Sequence, residues 1–321
     1  MTQRDINPFP YSDDNKRYLT YSAYLRRRFG EKVFKVPLNL GLSCPNRDGT
    51  KGTGGCIFCS GSLSGEFAGD PCDDISRQFD EVRAVLHKKW ERALYIPYFQ
   101  AGSNTYADVE YLRAVFERAV SFEGVVGMAV ATRADCIDEE KADMLAGFAK
   151  RTYLTVELGL QSIHDSTAAL CNRCHTYADF LRGYDLLRER GIDVCVHIIN
   201  GLPHETQEMM LDTAWTVGAL RPHAIKIHLL HILKNTPLAE MYAKGEFRAM
   251  EMEEYISTVC SQLELIPAET VIQRLTGDGA RRELIAPMWS LRKFDVMNGI
   301  DKMLFERGTY QGALVDNGNT L

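Results

Sequence analysis

The sequence predicts an α/β fold built from parallel βαβ units. Three observations carry this expectation: six short segments rich in β-branched and apolar residues, amphipathic stretches between most of them, and the regular alternation of the two. The six segments are VFKVPLNL from Val33, ALYIPYFQ from Ala93, VVGMAVAT from Val125, YLTVELGL from Tyr153, DVCVHIIN from Asp193 and AIKIHLLH from Ala224. Each reads as a buried strand.

Between them, DDISRQFDEVRAVLHKKW places Ile75, Phe79, Val82 and Leu86 at helical spacing behind the candidate caps Asp73 and Asp74. ADVEYLRAVFERAV, DEEKADMLAGFAKR, TYADFLRGYDLLRER and HETQEMMLDTAWTVGAL repeat the pattern. A helix from about Asn15 to Phe29, stopped by Gly30, precedes the first strand. After the sixth strand the alternation ends. Helical segments near Met250 to Leu265 and Ser290 to Arg307 flank one further strand-like run, TVIQRL, and together read as an appended cap. Either a barrel or an open doubly wound sheet satisfies this order, and both work at the C-terminal ends of their strands.

A chain of 321 residues, 45% apolar and 25% charged, buries a substantial single core. It has no apolar run of membrane-spanning length, and its start, MTQRDINPFPYSDD, lacks the basic and apolar regions of a secretion signal. The expected location is cytoplasmic, with no membrane partner. Nine cysteines in such a chain fit reduced thiols and metal ligands better than disulfides. The net charge of −6 argues against broad, non-specific affinity for nucleic acid.

The strongest chemical signal is LSCPNRDGTKGTGGCIFCS, immediately after the first strand. Eleven residues separate Cys44 from Cys56 and two separate Cys56 from Cys59, with Gly49, Gly52, Gly54 and Gly55 between, which let the backbone wrap closely round a bulky inorganic group. Thiolates hold iron-sulfur clusters, and three local ones leave one iron of a [4Fe-4S] cluster open to a substrate or cosubstrate. A structural zinc ion completed by Cys72 or a histidine fits the same residues, and it would make the protein a non-enzymatic binding module.

This three-cysteine loop, with the aromatic Phe58 just before its last cysteine, resembles the signature of radical S-adenosylmethionine (SAM) enzymes. The wide first spacing resembles the branch containing the elongator catalytic subunit, and CPNRDGTKGTGGCIFC resembles more closely the stand-alone proteins of the YhcC/YtqA type. The resemblance implies an incomplete (β/α)6 TIM-like barrel with an N-terminal helix and a C-terminal helical extension. It divides the chain into residues 1–32, a core over 33–235 and an extension over 236–321 packed on the core. It further implies a [4Fe-4S] cluster on Cys44, Cys56 and Cys59, with SAM on the open iron and Phe58 near its adenine.

Other matching stretches follow in order. YFQAGSNTYAD gives Gly102, Ser103 and Asn104 near the SAM amino group, without the usual Gly-Gly-Glu lettering; VATRADCI closes strand three; VELGLQS closes strand four with Glu157, the expected ribose contact, and Gln161. CNRCHT resembles an Arg-Gly-His stretch, with Arg173 and His175 in place and Cys174 where the glycine stands; Ile199 to Gly201 match a segment beside adenine. The implied chemistry is reductive cleavage of SAM to a 5′-deoxyadenosyl radical, with flavodoxin or ferredoxin as electron donor. The implied substrate is a wobble-uridine side chain on tRNA; a small metabolite or a peptide is the alternative. Because the sequence ends without an acetyltransferase domain, acetyl transfer is not expected.

Structural readings stand beside these. Glu157 fits a core carboxylate paired with Arg133 or Arg173. Cys171 and Cys174 fit either two unrelated thiols or part of a second cluster, and Cys195 a barrel-core thiol. Strand alternation puts His197 and Ile199 on one face and sets His228 opposite His231. Arg26 to Arg28 fit a solvated helix end or, with Arg274, Arg281, Arg282, Arg292 and Lys293, a phosphate-binding surface. Trp289, Phe294 and Tyr310 fit packing positions.

Overall fold

A computed structural model describes residues 7–11, 14–63, 65, 67–277, 279 and 281–315. Part of the leading segment read for a secretion signal, residues 1–6, 12 and 13, lies outside them.

Helix α1 (Tyr21–Phe29) starts later than expected. Thr20 is extended and caps it by accepting from Ala23 N at 3.2 Å, and Gly30 ends it at φ 75°. The residues before it pair as strand instead: Thr20 bridges Ile272, whose amide donates to Leu19 O at 2.8 Å. The alternation then runs β1 (Val33–Leu38), α2 (Ile75–His87), β2 (Leu94–Phe99), α3 (Val109–Val120), β3 (Gly127–Thr132), α4 (Glu139–Ala149) and β4 (Tyr153–Gln161). It continues with α5 (Asp165–Leu170), α6 (Tyr177–Glu189), β5 (Asp193–Asn200), α7 (Gln207–Ala219) and β6 (Ala224–Leu229). The last elements are β7 (Ile232–Leu233), α8 (Pro237–Ala243), α9 (Met252–Leu265), β8 (Val271–Arg274), β9 (Leu284–Ala286) and α10 (Lys293–Glu306). Of the two candidate caps of α2, Asp74 does the capping, accepting from Ser76 N at 2.9 Å.

All six expected strands form, and they pair in parallel in chain order, as short right-handed crossovers dictate. The run TVIQRL supplies a seventh, β8, parallel to β6 at the sheet's far edge, so the C-terminal segment contributes to the sheet as well as covering it. β7 and β9 form a separate antiparallel pair. The helices seal the sheet's outer face with large buried rings, Phe79, Phe116, Phe148 and Phe180. Phe99 of β2 meets Phe116 of α3 with centroids 4.9 Å apart.

The sheet curls and does not lie open. Lys35 on the first strand reaches Glu157 on the fourth and Gln273 on the last, contacts an open sheet of this width forbids. Helix α1 lies over the seam between β1 and β8. No helix among the described residues is long and apolar enough to cross a membrane.

Candidate active site

A cavity of about 300 Å³ runs from the loop after β1 into the barrel. Cys44, Cys56, Phe58 and Cys59 line its outer part. The loop is held by its own backbone: Gly55 N donates to Asn46 O at 2.8 Å and Cys59 N to Cys56 O at 3.0 Å. Arg47 braces it by donating to Cys59 O at 3.3 Å and Gly61 O at 3.4 Å. At Gly52 a Cβ would stand 2.3 Å from Asn46 Oδ1 and 2.6 Å from Cys174 Sγ, so only glycine lets the loop fold this tightly.

Positive charge surrounds the thiols. Arg173 donates from Nη1 to Cys56 Sγ at 3.7 Å and from Nη2 to Gly159 O at 2.6 Å, while Asn46 Nδ2 approaches the same sulfur at 3.7 Å. Arg133 supports Arg173 through its carbonyl at 2.9 Å and is fixed by a two-pronged pair with Asp135, both at 2.9 Å. A hydrogen bond from Cys59, opposed by burial and aided by Arg173 and Arg133, holds the Cys56 thiol well below its usual range, which favours the thiolate a metal needs. Burial and the two arginines push His175 down to about 3, leaving it neutral.

The donor set suits a cluster: Cys44, Cys56 and Cys59 come from one loop and line one cavity, and Arg173 and Arg133 beside Cys56 favour the thiolate form that holds iron. Cys72 is exposed and outside the cavity lining. Cys171 is buried with its carbonyl accepting from Ile57 N at 3.1 Å, and Cys174 is exposed beside Asn172; neither lines the cavity. Cys174 sits at φ 54°, the left-handed conformation suited to the glycine it replaces.

Gly102, Ser103, Gln161, Arg173 and Ile199 line the same cavity. Gly102 is at φ 74°, and a Cβ there would lie 2.4 Å from Leu42 O, so the turn after β2 presses directly on the cysteine loop. Gln161 takes φ 75° at an irregularity in β4, with Oε1 buried and without a hydrogen-bond partner. Two expected site residues stand outside the lining. Asn104 is fully buried with its amide donating to Phe99 O at 3.0 Å and Ala131 O at 2.9 Å, which ties β2 to β3. Gly201, at φ 87°, turns the chain after β5 with its N–H 3.3 Å from Met210 Sδ.

Deeper in the barrel, Glu157 is fully buried, and its partners are not the arginines expected. Lys35 and Lys226 both form ion pairs with it; Tyr98 Oη donates to Oε2 at 2.7 Å, and His197 Nε2 lies 2.9 Å from the same oxygen. Arg133 and Arg173 are occupied above, as described. Burial alone would raise the carboxyl pKa, but Lys226 and Lys35, with His197, hold it well below the usual range. Burial brings Lys226 down to about 8 and His197 to about 4. Sequence reasoning missed Lys35, Tyr98 and Lys226. The available signal was a lysine inside each of two otherwise apolar strand runs, VFKVPL and AIKIHL.

His197 and Ile199 do share a face. His228 and His231 do not oppose each other: both line the cavity, because β6 ends at Leu229 and the alternation lapses before His231. Arg26 to Arg28 stand at the strands' N-terminal end, just ahead of β1, and Arg281 and Arg282 belong to the loop whose Gly277 and Gly279 line the cavity, so the cations form no single surface. Phe294 is 82% exposed on the first turn of α10, whereas Trp289 rests on Tyr255 with centroids 5.6 Å apart. Tyr310 packs on Phe9 at 6.5 Å.

Comparison with known proteins agrees with this geometry. The family model described as the radical SAM superfamily matches residues 44–215, and that of the radical SAM C-terminal domain matches 222–306. YtqA of Bacillus subtilis is 50% identical over 306 residues, covering 95% of both chains. A tRNA uridine(34) acetyltransferase of Methanocaldococcus infernus is 26% identical over 272 residues, covering 70% of this chain and 49% of its own length. The structure of archaeal Methanocaldococcus infernus Elp3 with an N-terminal deletion superposes with a TM-score of 0.65 at 18% identity, over 87% of this chain and 64% of that one. That likeness shows the shared fold. With the enzyme family matched across the loop and the barrel, the zinc-module alternative falls away, and the chain belongs to the radical SAM superfamily, enzymes that use a [4Fe-4S] cluster and SAM.

Proposed function

We propose that this enzyme modifies the side chain of a wobble uridine in tRNA, with Cys44, Cys56 and Cys59 holding the cluster. When bound, the cluster and SAM would supply radical chemistry for abstracting a substrate hydrogen, with flavodoxin or ferredoxin as the electron donor. The chain's own residues bind, orient and exclude water. Arg173, Arg133 and Asn46 set the charge around the thiolates. Gly102 and Ser103 offer backbone and hydroxyl groups beside the loop, with Phe58 and Ile199 as apolar walls and the unpartnered Gln161 Oε1 as an acceptor for hydroxyl donors. Glu157 is engaged with Lys35, Lys226, Tyr98 and His197, and on this reading it organises the barrel interior and reaches the ribose through that network.

The observation that carries the tRNA reading is similarity to a tRNA uridine(34) acetyltransferase along 70% of this chain. Exposed Arg281 and Arg282 in the loop at the cavity edge supply phosphate contacts despite the net charge of −6. The test is anaerobic reconstitution with iron and sulfide, reduction, and assay of 5′-deoxyadenosine with and without tRNA. The expected result is nucleoside formation stimulated by tRNA, salt-sensitive tRNA binding, and loss of both cluster and product in Cys44→Ala, Cys56→Ala or Cys59→Ala. Product formation indifferent to tRNA, with no salt-sensitive binding, would turn the assignment to a small metabolite or a peptide.

A further inference from the structure

The C-terminal segment leaves the cavity rim with an outer side that the chemistry at the cysteine loop does not use. Leu233 of β7 and the loop with Gly277 and Gly279 line the cavity. The antiparallel ribbon starts there, pairing Leu233 with Leu284 and Ile232 with Ala286. Lys234 fastens the ribbon's tip: its N–H donates to Glu283 O at 2.8 Å and its ammonium to Arg282 O at 2.7 Å. Lys234, Arg281 and Arg282 are all exposed, so among the described residues three cations and one acid, Glu283, stand at this tip. Arg282 follows the cavity-lining Gly279 closely in the chain, within a reach of about 11 Å.

Beyond the tip, burial splits the segment into two sides. Leu284, Ala286, Ser290 and Val296 are buried. Trp289 is anchored by Nε1 donating to Met250 O at 2.9 Å and by its contact with Tyr255. The remaining apolar side chains face solvent: Ile285 is 38% exposed, Met288 54% and Phe294 82%, the most exposed large apolar residue among those described. Helix α10 turns Val296, Ile300 and Leu304 to the core, and Phe294 stands roughly 160° round the helix from Val296. Isolated exposed apolar residues need no explanation. Here β9, the turn Met288–Leu291 and the start of α10 touch in succession, so the three form one strip that continues from the cationic tip.

We propose that this strip docks the single-stranded loop of an RNA substrate, with phosphates on Lys234, Arg281 and Arg282 and a base stacked on Phe294. The site deepens the proposed function and rests on it for the identity of the RNA. Proteins bind unpaired RNA by setting cations along the phosphates and aromatic faces under the splayed bases, and this strip offers both in order. A base that enters the cavity leaves its loop neighbours outside at the rim, where the strip begins. A protein partner fits less well, because the core of a protein interface is depleted of charge, whereas cations lead into this strip.

The test uses the reconstituted enzyme and fluorescence anisotropy of a labelled anticodon stem-loop with uridine at the wobble position, against an RNA duplex lacking a loop. Tighter binding of the stem-loop is expected. Phe294→Ala should raise its Kd about tenfold, equivalent to removing one stacked base, and leave the salt dependence unchanged. Arg281→Gln with Arg282→Gln should raise Kd and also lower the slope of log Kd against log salt by about one to two. Phe294→Trp should keep the affinity and show indole quenching on addition of the stem-loop beyond any change in the wild type. Tyr111→Ala, an exposed aromatic on α3, should change nothing. Because Phe294 is exposed, its replacement leaves the core intact.

Equal binding of the stem-loop by all variants would overturn the site and leave the proposed function untouched, whereas a wild type that binds no RNA removes both. Loss in the arginine variant alone, with stem-loop and duplex bound alike, overturns the stacking role. So does a concentration-dependent dimer of the wild type, seen by sedimentation without RNA and abolished by Phe294→Ala, since a second copy then covers the strip. Loss of binding in the variants, with 5′-deoxyadenosine formation indifferent to tRNA, leaves the site standing and removes the wobble-uridine reading.

Discussion

Lys35 Nζ on the first strand of the sheet donates to Gln273 Oε1 on the last at 2.8 Å, and the same ammonium pairs with Glu157. No backbone ladder joins those two edge strands. Side chains therefore close the barrel where the main chain leaves it open, and they do so at the level of the buried carboxylate. Lys35 is consequently both a partner of Glu157 and a clasp across the seam that α1 covers.

Replacing Glu157 by Gln keeps the shape but strands two buried ammonium groups. Removing one partner of a buried ion pair costs about 3–5 kcal/mol. Glu157→Gln is expected to lower the urea midpoint of the cluster-free chain accordingly, while Lys35→Met combined with Glu157→Gln recovers part of the loss. An unchanged midpoint in the single variant would show that the network contributes nothing to stability.

Stability should fall as the medium is acidified from pH 7 to 5, and His197 should account for part of the fall. Its folded pKa of about 4 lies below the value of about 6.5 for an unfolded histidine, so the unfolded chain binds the proton first and gains over the native state as pH drops. One such histidine contributes about 2 kcal/mol over this interval. Glu157, also depressed, adds its loss at lower pH, through and below the ordinary carboxylate range. Denaturant titrations at several pH values should show a shallower slope for His197→Gln; an identical slope would exclude His197 as a contributor.

Gly102→Ala should disturb SAM binding more than global stability. The new Cβ at 2.4 Å from Leu42 O forces the turn after β2 away from the cysteine loop, in a conformation that alanine already disfavours. Equilibrium dialysis of the reconstituted enzyme should show SAM affinity weakened about tenfold or more, equivalent to roughly 1.4 kcal/mol. Wild-type affinity in the variant would mean that the loop relaxes freely.

Arg173→Met removes the cation beside Cys56 while retaining bulk. A nearby positive charge stabilises the reduced, more negative cluster, so its loss should move the midpoint potential to more negative values, by about 60 mV if the electron-transfer equilibrium shifts tenfold. Anaerobic redox titration followed by electron paramagnetic resonance reads this directly. Arg173→Lys should restore part of the shift; a potential unchanged in Arg173→Met would separate the guanidinium from cluster tuning.

The sequence by itself determined the α/β alternation and the grouping of the three candidate cluster ligands. Strand and helix periods are local, as in VVGMAVAT and DDISRQFDEVRAVLHKKW, and Cys44, Cys56 and Cys59 belong to one glycine-rich loop. Local patterns also missed some outcomes. Thr20 extends instead of joining α1 because Ile272, far along the chain, offers its amide to Leu19. Phe294 reads as a packing residue in sequence, but is 82% exposed on α10. Tertiary structure alone decided what faces Glu157: Lys35 comes from 122 residues before it, Tyr98 from 59 before, His197 from 40 after and Lys226 from 69 after. The physical reason is that an ion pair depends on which strands become neighbours and in what register. Here the curl of the sheet and the registers from β1 to β6 set both, and neither leaves a periodic signal in the chain.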